Sequence, residues 1–173
     1  MYKRQAQGQD LIVTSGGVSV GEEDHLRPAV QAEGHIDLWQ IAMKPGKPLA
    51  FGEVNRPDGT SAYFIGLPGN PVSSFITFLV AVRPVLLHLQ GVPFKPAPSL
   101  PMRADFDWPR PDKRQEFLRA KINDQGGLDL FPNQSSGVLT SAVWGDGVID
   151  NPSGQAIRRG DAVRFISFSE LMR

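Results

Sequence analysis

Three loops carry residue types that suit the handling of a small anion. The first is Ser15-Gly16-Gly17-Val18-Ser19-Val20-Gly21. Glycines let a phosphate or a flat ring approach the backbone, and Ser15 and Ser19 add hydroxyl donors. Glu22, Glu23 and Asp24 follow. Carboxylates there suit Mg²⁺, which takes oxygen ligands and keeps several waters. By spacing alone they better suit the first turn of a helix, where acidic residues complement the dipole. The second loop is Lys44-Pro45-Gly46-Lys47-Pro48. Two lysines on a proline-stiffened loop make a point-charge clamp for an oxyanion such as phosphate, although solvated loop lysines are the plainer reading. The third is Leu67-Pro68-Gly69-Asn70-Pro71-Val72-Ser73. Pro68 and Pro71 fix φ near about −65° and remove two N–H donors. Gly69 permits a tight turn, Asn70 suits an N-cap, and Pro71 suits the first helical position. Such a loop aims the positive end of a helix forward, which favours an anion. A well-made turn without a ligand fits the same residues.

The elements around these loops define a fold class. Leu11-Ile12-Val13 is a continuous apolar run, as in a parallel strand buried on both faces, and it leads into the first loop. In open α/β sheets, ligands bind beyond the carboxyl ends of such strands. A helix is predicted from His25 to about Glu33, with Pro28 in its first turn and Gly34 after its end. Strands are predicted at 36–43, 49–54 and 61–65, the last two joined by a turn containing Asp58-Gly59. A helix from Pro71 to Gln90 is almost apolar all round, predicting burial with a kink at Pro84.

Pro93, Pro96, Pro98 and Pro101 make residues 93–100 a stiff linker. Beyond it, β-like runs at 115–122, 128–131, 148–151 and 162–168 alternate with Gly-rich turns, which predicts a small all-β barrel. Residues 139–144 fit a short helix or a strand. The division is 6–92 and 101–173. Met1-Tyr2-Lys3-Arg4-Gln5 resembles a translated adaptor end and is set aside.

Composition narrows the function classes. Lys plus Arg and Asp plus Glu both number 18, so no net charge steers the chain to nucleic acid or an anionic membrane. Cysteine is absent, which removes thiol nucleophiles and thiolate metal sites and fits a cytoplasmic location. The apolar run from Phe75 to Val82 falls short of the roughly 18 residues a spanning helix needs. Neither the dinucleotide G-x-G-x-x-G nor the P-loop G-K-[ST] pattern occurs, and the three histidines lack metal-ligand spacing. Arg114 and Arg119, on the first β run after the linker, read as surface residues.

Taken together, 10–24, Met43–Pro48 and Gly66–Ser73 resemble, in order and spacing, the molybdopterin molybdotransferase family, which includes bacterial MoeA and the gephyrin E domain. The resemblance spans 10–91 and continues through 101–173. It implies part of a three-layer, MogA-like molybdopterin-binding domain followed by a β-barrel domain. It implies insertion of molybdenum from molybdate into the dithiolene of adenylylated molybdopterin, with Mg²⁺. Asp24 takes the family's acidic, metal-contacting position, and Lys44 and Lys47 face molybdate.

Substrate contacts fall on Ser15, Gly16, Gly17, Ser19, Gly21, Pro45, Gly46, Pro68, Gly69, Asn70, Pro71 and Ser73. In the β domain, Arg119 and Ser136 match the family's anion contacts. Some members carry one more lysine where this chain has Gln40. The expected partners are small molecules, a second copy in the full-length parent and a molybdopterin adenylyltransferase. Members carry further N-terminal domains, so the chain is expected to be a fragment, inactive alone and exposing an apolar patch. The runner-up enzyme is a molybdopterin adenylyltransferase or related stand-alone pterin-binding protein. A peptide-binding scaffold is a third reading, of another class.

Overall fold

The computed structural model describes residues 2–18 and 25–173. Two compact units form, one of residues 1–41 with 46–92 and the other of 42–45 with 93–173.

The first unit begins with a short helix, α1 (Tyr2–Gln5), then β1 (Leu11–Ser15), α2 (Leu26–Glu33) and β2 (Gly34–Gln40). Next in the chain, β3 (Met43–Lys44) belongs to the second unit. The first unit resumes with β4 (Pro48–Asn55) and β5 (Ser61–Leu67). The sheet order is β1-β5-β4-β2, with β1 parallel to β5 and the other pairs antiparallel. The β4–β5 turn closes through the Arg56 amide to the Thr60 carbonyl at 2.7 Å, and Asp58 Oδ1 accepts from the Thr60 amide at 3.0 Å.

The sheet is the middle of three layers. One face packs Ile12, Ala50, Val54, Ala62 and Phe64 with Val30 of α2 and with Val18. The other packs Leu49, Ile65 and Leu67 against Val82. Ala6 is fully buried in the first cluster, and its carbonyl accepts from Arg56 Nε at 2.8 Å. The segment set aside as an adaptor end is thus helical and leads directly into the core.

Two expectations are corrected. Among the described residues β1 pairs only with β5, and Val13 is 42% exposed while Ile12 is buried. The long apolar helix is not buried all round, and it is interrupted before Pro84. It runs as α3 (Pro71–Thr77), a π-turn (Phe78–Val82) and α4 (Arg83–Leu89). Proline crowds the carbonyl four residues before it and brings no N–H. The wider turn, in which the Arg83 amide reaches the Phe78 carbonyl, accommodates that within one helix. Val72, Ile76, Leu79 and Val82 face the core, while Phe78 and Leu89 are exposed. By length and composition alone Pro71–Leu89, 19 residues, could cross a membrane, which the shorter run counted above missed. One face of it packs on Leu67 and Ile65.

The second unit adds β6 (Leu100–Arg103), β7 (Gln115–Ile122), β8 (Leu128–Leu130), α5 (Thr140–Trp144), β9 (Gly147–Asn151), β10 (Ala162–Ser167) and α6 (Phe168–Met172). Its sheet runs β3-β7-β9-β10-β6, with β8 also on β7. Ala104, next after β6, bridges to Leu128 of β8, which closes the strands into a barrel. Inside lie Ala104, Leu118, Ala120, Leu128, Ile149, Ile157, Val163 and Phe165. Residues 139–144 resolve to helix, and Phe168 starts α6 rather than ending a strand.

Candidate functional site

Parallel pairing of β1 with β5 places Ser15 opposite Leu67, so the first and third loops leave the same edge of the sheet. The Gly16 amide donates to the Leu67 carbonyl at 2.9 Å. Gly16 (φ +81°) and Gly17 (φ +71°) occupy the left-handed region, which side chains disfavour. A Cβ on Gly69 would stand 3.6 Å from Gly16 Cα, so the loops meet backbone to backbone. Together they form a cavity of about 290 Å³ lined by Gly16, Gly17, Val18, Pro48, Pro68, Gly69 and Asn70. Pro48 belongs to the lysine loop, so all three motifs reach one cavity within one unit.

Asn70 occupies the N-cap position with extended backbone (φ −70°, ψ 130°), but its side chain does not bond the first-turn amides. The loop is braced instead by Ser74, whose hydroxyl donates to the Pro68 carbonyl. Pro71 is exposed at the helix start. Ser73 is turned inward, 3% exposed, and its carbonyl accepts from Thr77 Oγ1 at 2.6 Å. Ser73 therefore serves the helix interior and does not line the cavity.

The lysine loop divides between the units. Lys47 is exposed in the first, where its carbonyl accepts from the Ile41 amide at 3.0 Å. Pro45 and Gly46 are buried backbone supports rather than open contact surfaces. Lys44 lies on β3 opposite Glu116 of β7. Its ammonium stands 3.3 Å from Glu116 Oε1 and 3.5 Å from Asp112 Oδ2. Lys44 is thus a paired cation, not the solvated loop lysine that its spacing also allowed. Asp112 is itself gripped by Arg114, Nη2 to Oδ2 at 2.8 Å, which holds its carboxyl well below the usual carboxylate range.

Arg119 overturns its reading as a surface residue: it is 1% exposed. It lies on the face of β7 opposite Leu118 and Ala120, which point into the barrel, and is covered there by the 134–141 segment. Its guanidinium donates to Ser141 Oγ (3.1 Å), the Phe117 carbonyl (3.1 Å) and the Ser135 carbonyl (3.3 Å). These acceptors are neutral, and burial lowers its pKa to about 10. Gln134 exchanges bonds with the Arg119 backbone at 2.9 and 3.0 Å. The segment carrying Ser135 and Ser136 is therefore fastened directly to Arg119, which brings together the two residues expected as anion contacts in the β domain.

Comparison with known proteins fits both units. The family model described as "Probable molybdopterin binding domain" matches residues 1–88, and "MoeA C-terminal region (domain IV)" matches residues 101–168. The chain belongs to the molybdopterin molybdotransferase family of MoeA and gephyrin. A molybdopterin molybdenumtransferase from Haemophilus influenzae is 42% identical over 129 residues, 72% of this chain and 31% of that protein. The Drosophila melanogaster molybdenum cofactor synthesis protein cinnamon is 33% identical, over 83% of this chain and 24% of its own length. The chain thus spans about a third or less of these relatives. A MoeA structure from Pyrococcus horikoshii superposes with a TM-score of 0.70 at 25% identity, covering 92% of this chain and 37% of that one.

Within the family frame, the structure joins Gly16, Gly17, Pro68, Gly69 and Asn70 in one cavity, with Ser15 exposed at the end of β1. Ser19, Gly21 and Asp24 lie outside the described residues. Among the described residues, no group of three His, Cys, Asp or Glu side chains could hold a metal ion. Sequence reasoning missed Pro48, Glu116 and Gln134. Pro48 could have been found from its place in the lysine motif. Glu116 and Gln134 take their roles from long-range pairing, which spacing does not reveal.

Proposed function

We propose that this chain supplies part of the active centre of a molybdopterin molybdotransferase, which moves molybdenum from molybdate to the dithiolene of adenylylated molybdopterin in molybdenum cofactor biosynthesis. The observation that carries this reading is the convergence of the Ser-Gly-Gly, Lys-Pro-Gly-Lys-Pro and Pro-Gly-Asn-Pro motifs on one cavity at the carboxyl ends of β1 and β5. Glycine backbone at Gly16, Gly17 and Gly69 allows a phosphate or a flat pterin to approach closely. The helix starting at Pro71 presents its positive end beside the cavity. Molybdate is a dianion, and the lysines of the Lys-Pro-Gly-Lys-Pro motif are its proposed contacts. Arg119 and the segment around Ser136 form the β-domain anion contact in this reading. Asp24 is the proposed Mg²⁺ contact.

The match of residues 101–168 to the MoeA C-terminal region speaks against a stand-alone adenylyltransferase. The reading places the protein in the cytoplasm, as a homodimer in its full-length form that receives adenylylated pterin from an adenylyltransferase. The test offers adenylylated molybdopterin and molybdate to the natural polypeptide carrying this sequence and follows AMP release. Molybdate-dependent release with molybdenum retained on the pterin is the expected result. Release indifferent to molybdate would overturn the reading.

A further inference from the structure

Glu116 is completely buried, and its two oxygens are divided between two tasks. Oε2 accepts from Trp108 Nε1 at 2.8 Å and from Asn151 Nδ2 at 3.4 Å. Oε1 faces the Lys44 ammonium at 3.3 Å. The partners of Oε2 fix the plane of the carboxylate and aim Oε1 at the lysine. The backbone works to the same end, because parallel pairing of β3 with β7 sets Lys44 in register with Glu116.

A carboxylate withdrawn from water is costly unless a cation compensates it. Asp112, the other carboxylate near Lys44, is already committed to Arg114 through both oxygens, at 2.9 and 2.8 Å. An ammonium has three N–H groups. One is donated to Glu116, Asp112 lies 3.5 Å away as a charge partner, and the side chain remains 37% exposed, which leaves donor capacity open to a ligand.

We propose that Glu116 is a positioning residue for oxyanion binding: it pins the Lys44 ammonium so that its remaining donor capacity is held ready for molybdate. This rests on the reading of Lys44 as a molybdate contact. Glu116 does not touch the anion, and its effect passes through Lys44.

Acylation footprinting by mass spectrometry, with inorganic molybdate as the probe, tests this on the 173-residue chain. In the unaltered chain, molybdate slows labelling of Lys44 and Lys47. In Glu116→Gln, Lys44 labels faster without molybdate, and its protection needs about tenfold more molybdate, one charge-assisted contact's worth. Baseline labelling of Lys47 stays the same. Trp108→Phe removes one of the two donors to Oε2 but leaves the carboxylate charge, so Lys44 labelling rises less than in Glu116→Gln. If Glu116→Gln does not fold, Glu116→Asp carries the test, with faster Lys44 labelling and weaker protection expected. Unchanged Lys44 labelling and protection in the Glu116 variant would overturn the proposal. So would a Trp108→Phe variant that reproduces the whole effect, since the role would then be packing. Absence of molybdate protection at both lysines of the unaltered chain would overturn the molybdate reading itself, and the positioning role with it.

Discussion

The Gly16 amide donates to the Leu67 carbonyl across 2.9 Å, one step past the last paired residues of β1 and β5. That bond holds two chemically distinct loops side by side, and the cavity exists because both lack side chains where they meet. Gly69→Ala is therefore informative. Its Cβ would lie 3.6 Å from Gly16 Cα, an ordinary contact, so the fold tolerates it. The methyl would enter the cavity and should weaken pterin binding about tenfold, roughly 1.4 kcal/mol, with the thermal midpoint unchanged. Gly16→Ala should instead lose stability by roughly 1 kcal/mol, because its φ of +81° is strained for an L-residue. Paired melting curves and fluorescence titrations separate the two.

The two lysines should behave differently. Lys47→Ala removes an exposed cation and should weaken molybdate binding by roughly 1.5–3 kcal/mol without affecting folding. Lys44→Ala should weaken binding and also destabilise the chain by roughly 1–3 kcal/mol, because the buried Glu116 loses its cation. Denaturant melts of both variants check this. Equal stability would mean that Glu116 finds another partner.

Asp105 and Asp112 give the second unit a defined acid response. Hydrogen bonds from Arg103 and Arg114 hold their carboxyls below the ordinary value of 3.8. A lowered folded pKa contributes stability that is present above the unfolded value and lost as pH falls through the folded one. The melting temperature should therefore hold near neutrality and fall below about pH 4. Asp112→Asn should flatten part of that fall. A variant with the same acid profile would show that the Arg114 contact does not contribute.

Some of this was legible in the sequence. The turn at Asp58-Gly59 and the β-like run at 115–122 gave β4, β5 and β7, because local propensity and tertiary pairing agree there. The cavity-forming glycines and prolines were legible because backbone demands of that kind have few residue solutions. Arg119 was misread because an arginine on the outward face of a barrel strand normally meets water, and only the long-range packing of 134–141 over that face reveals otherwise. The departure of 42–45 into the second unit was invisible because two residues of β3 carry no periodicity.

Arg119 should be a structural cation as well as an anion contact. Arg119→Ala removes the guanidinium donor to Ser141 Oγ and to the Phe117 and Ser135 carbonyls and should cost on the order of 2–3 kcal/mol. Hydrogen exchange at 134–136 should quicken, and Lys should not restore it, since an ammonium cannot reproduce the guanidinium fork. Unchanged exchange would contradict the fastening.

The proposed metal contact can be read without turnover. Mn²⁺ binding followed by paramagnetic resonance should weaken at least about tenfold in Asp24→Asn, the loss of one charged oxygen ligand. Equal binding in both proteins would leave Asp24 as a helix-start residue.

In the proposed function, the cavity between the Gly16 and Gly69 loops holds the pterin substrate. The most direct test of this is a titration of the chain with adenylylated molybdopterin, read by pterin fluorescence, in the unaltered protein and in Gly69→Ala. Saturable binding that weakens about tenfold in the variant is the predicted result. Absence of saturable binding, or equal affinity in a well-folded variant, would contradict it.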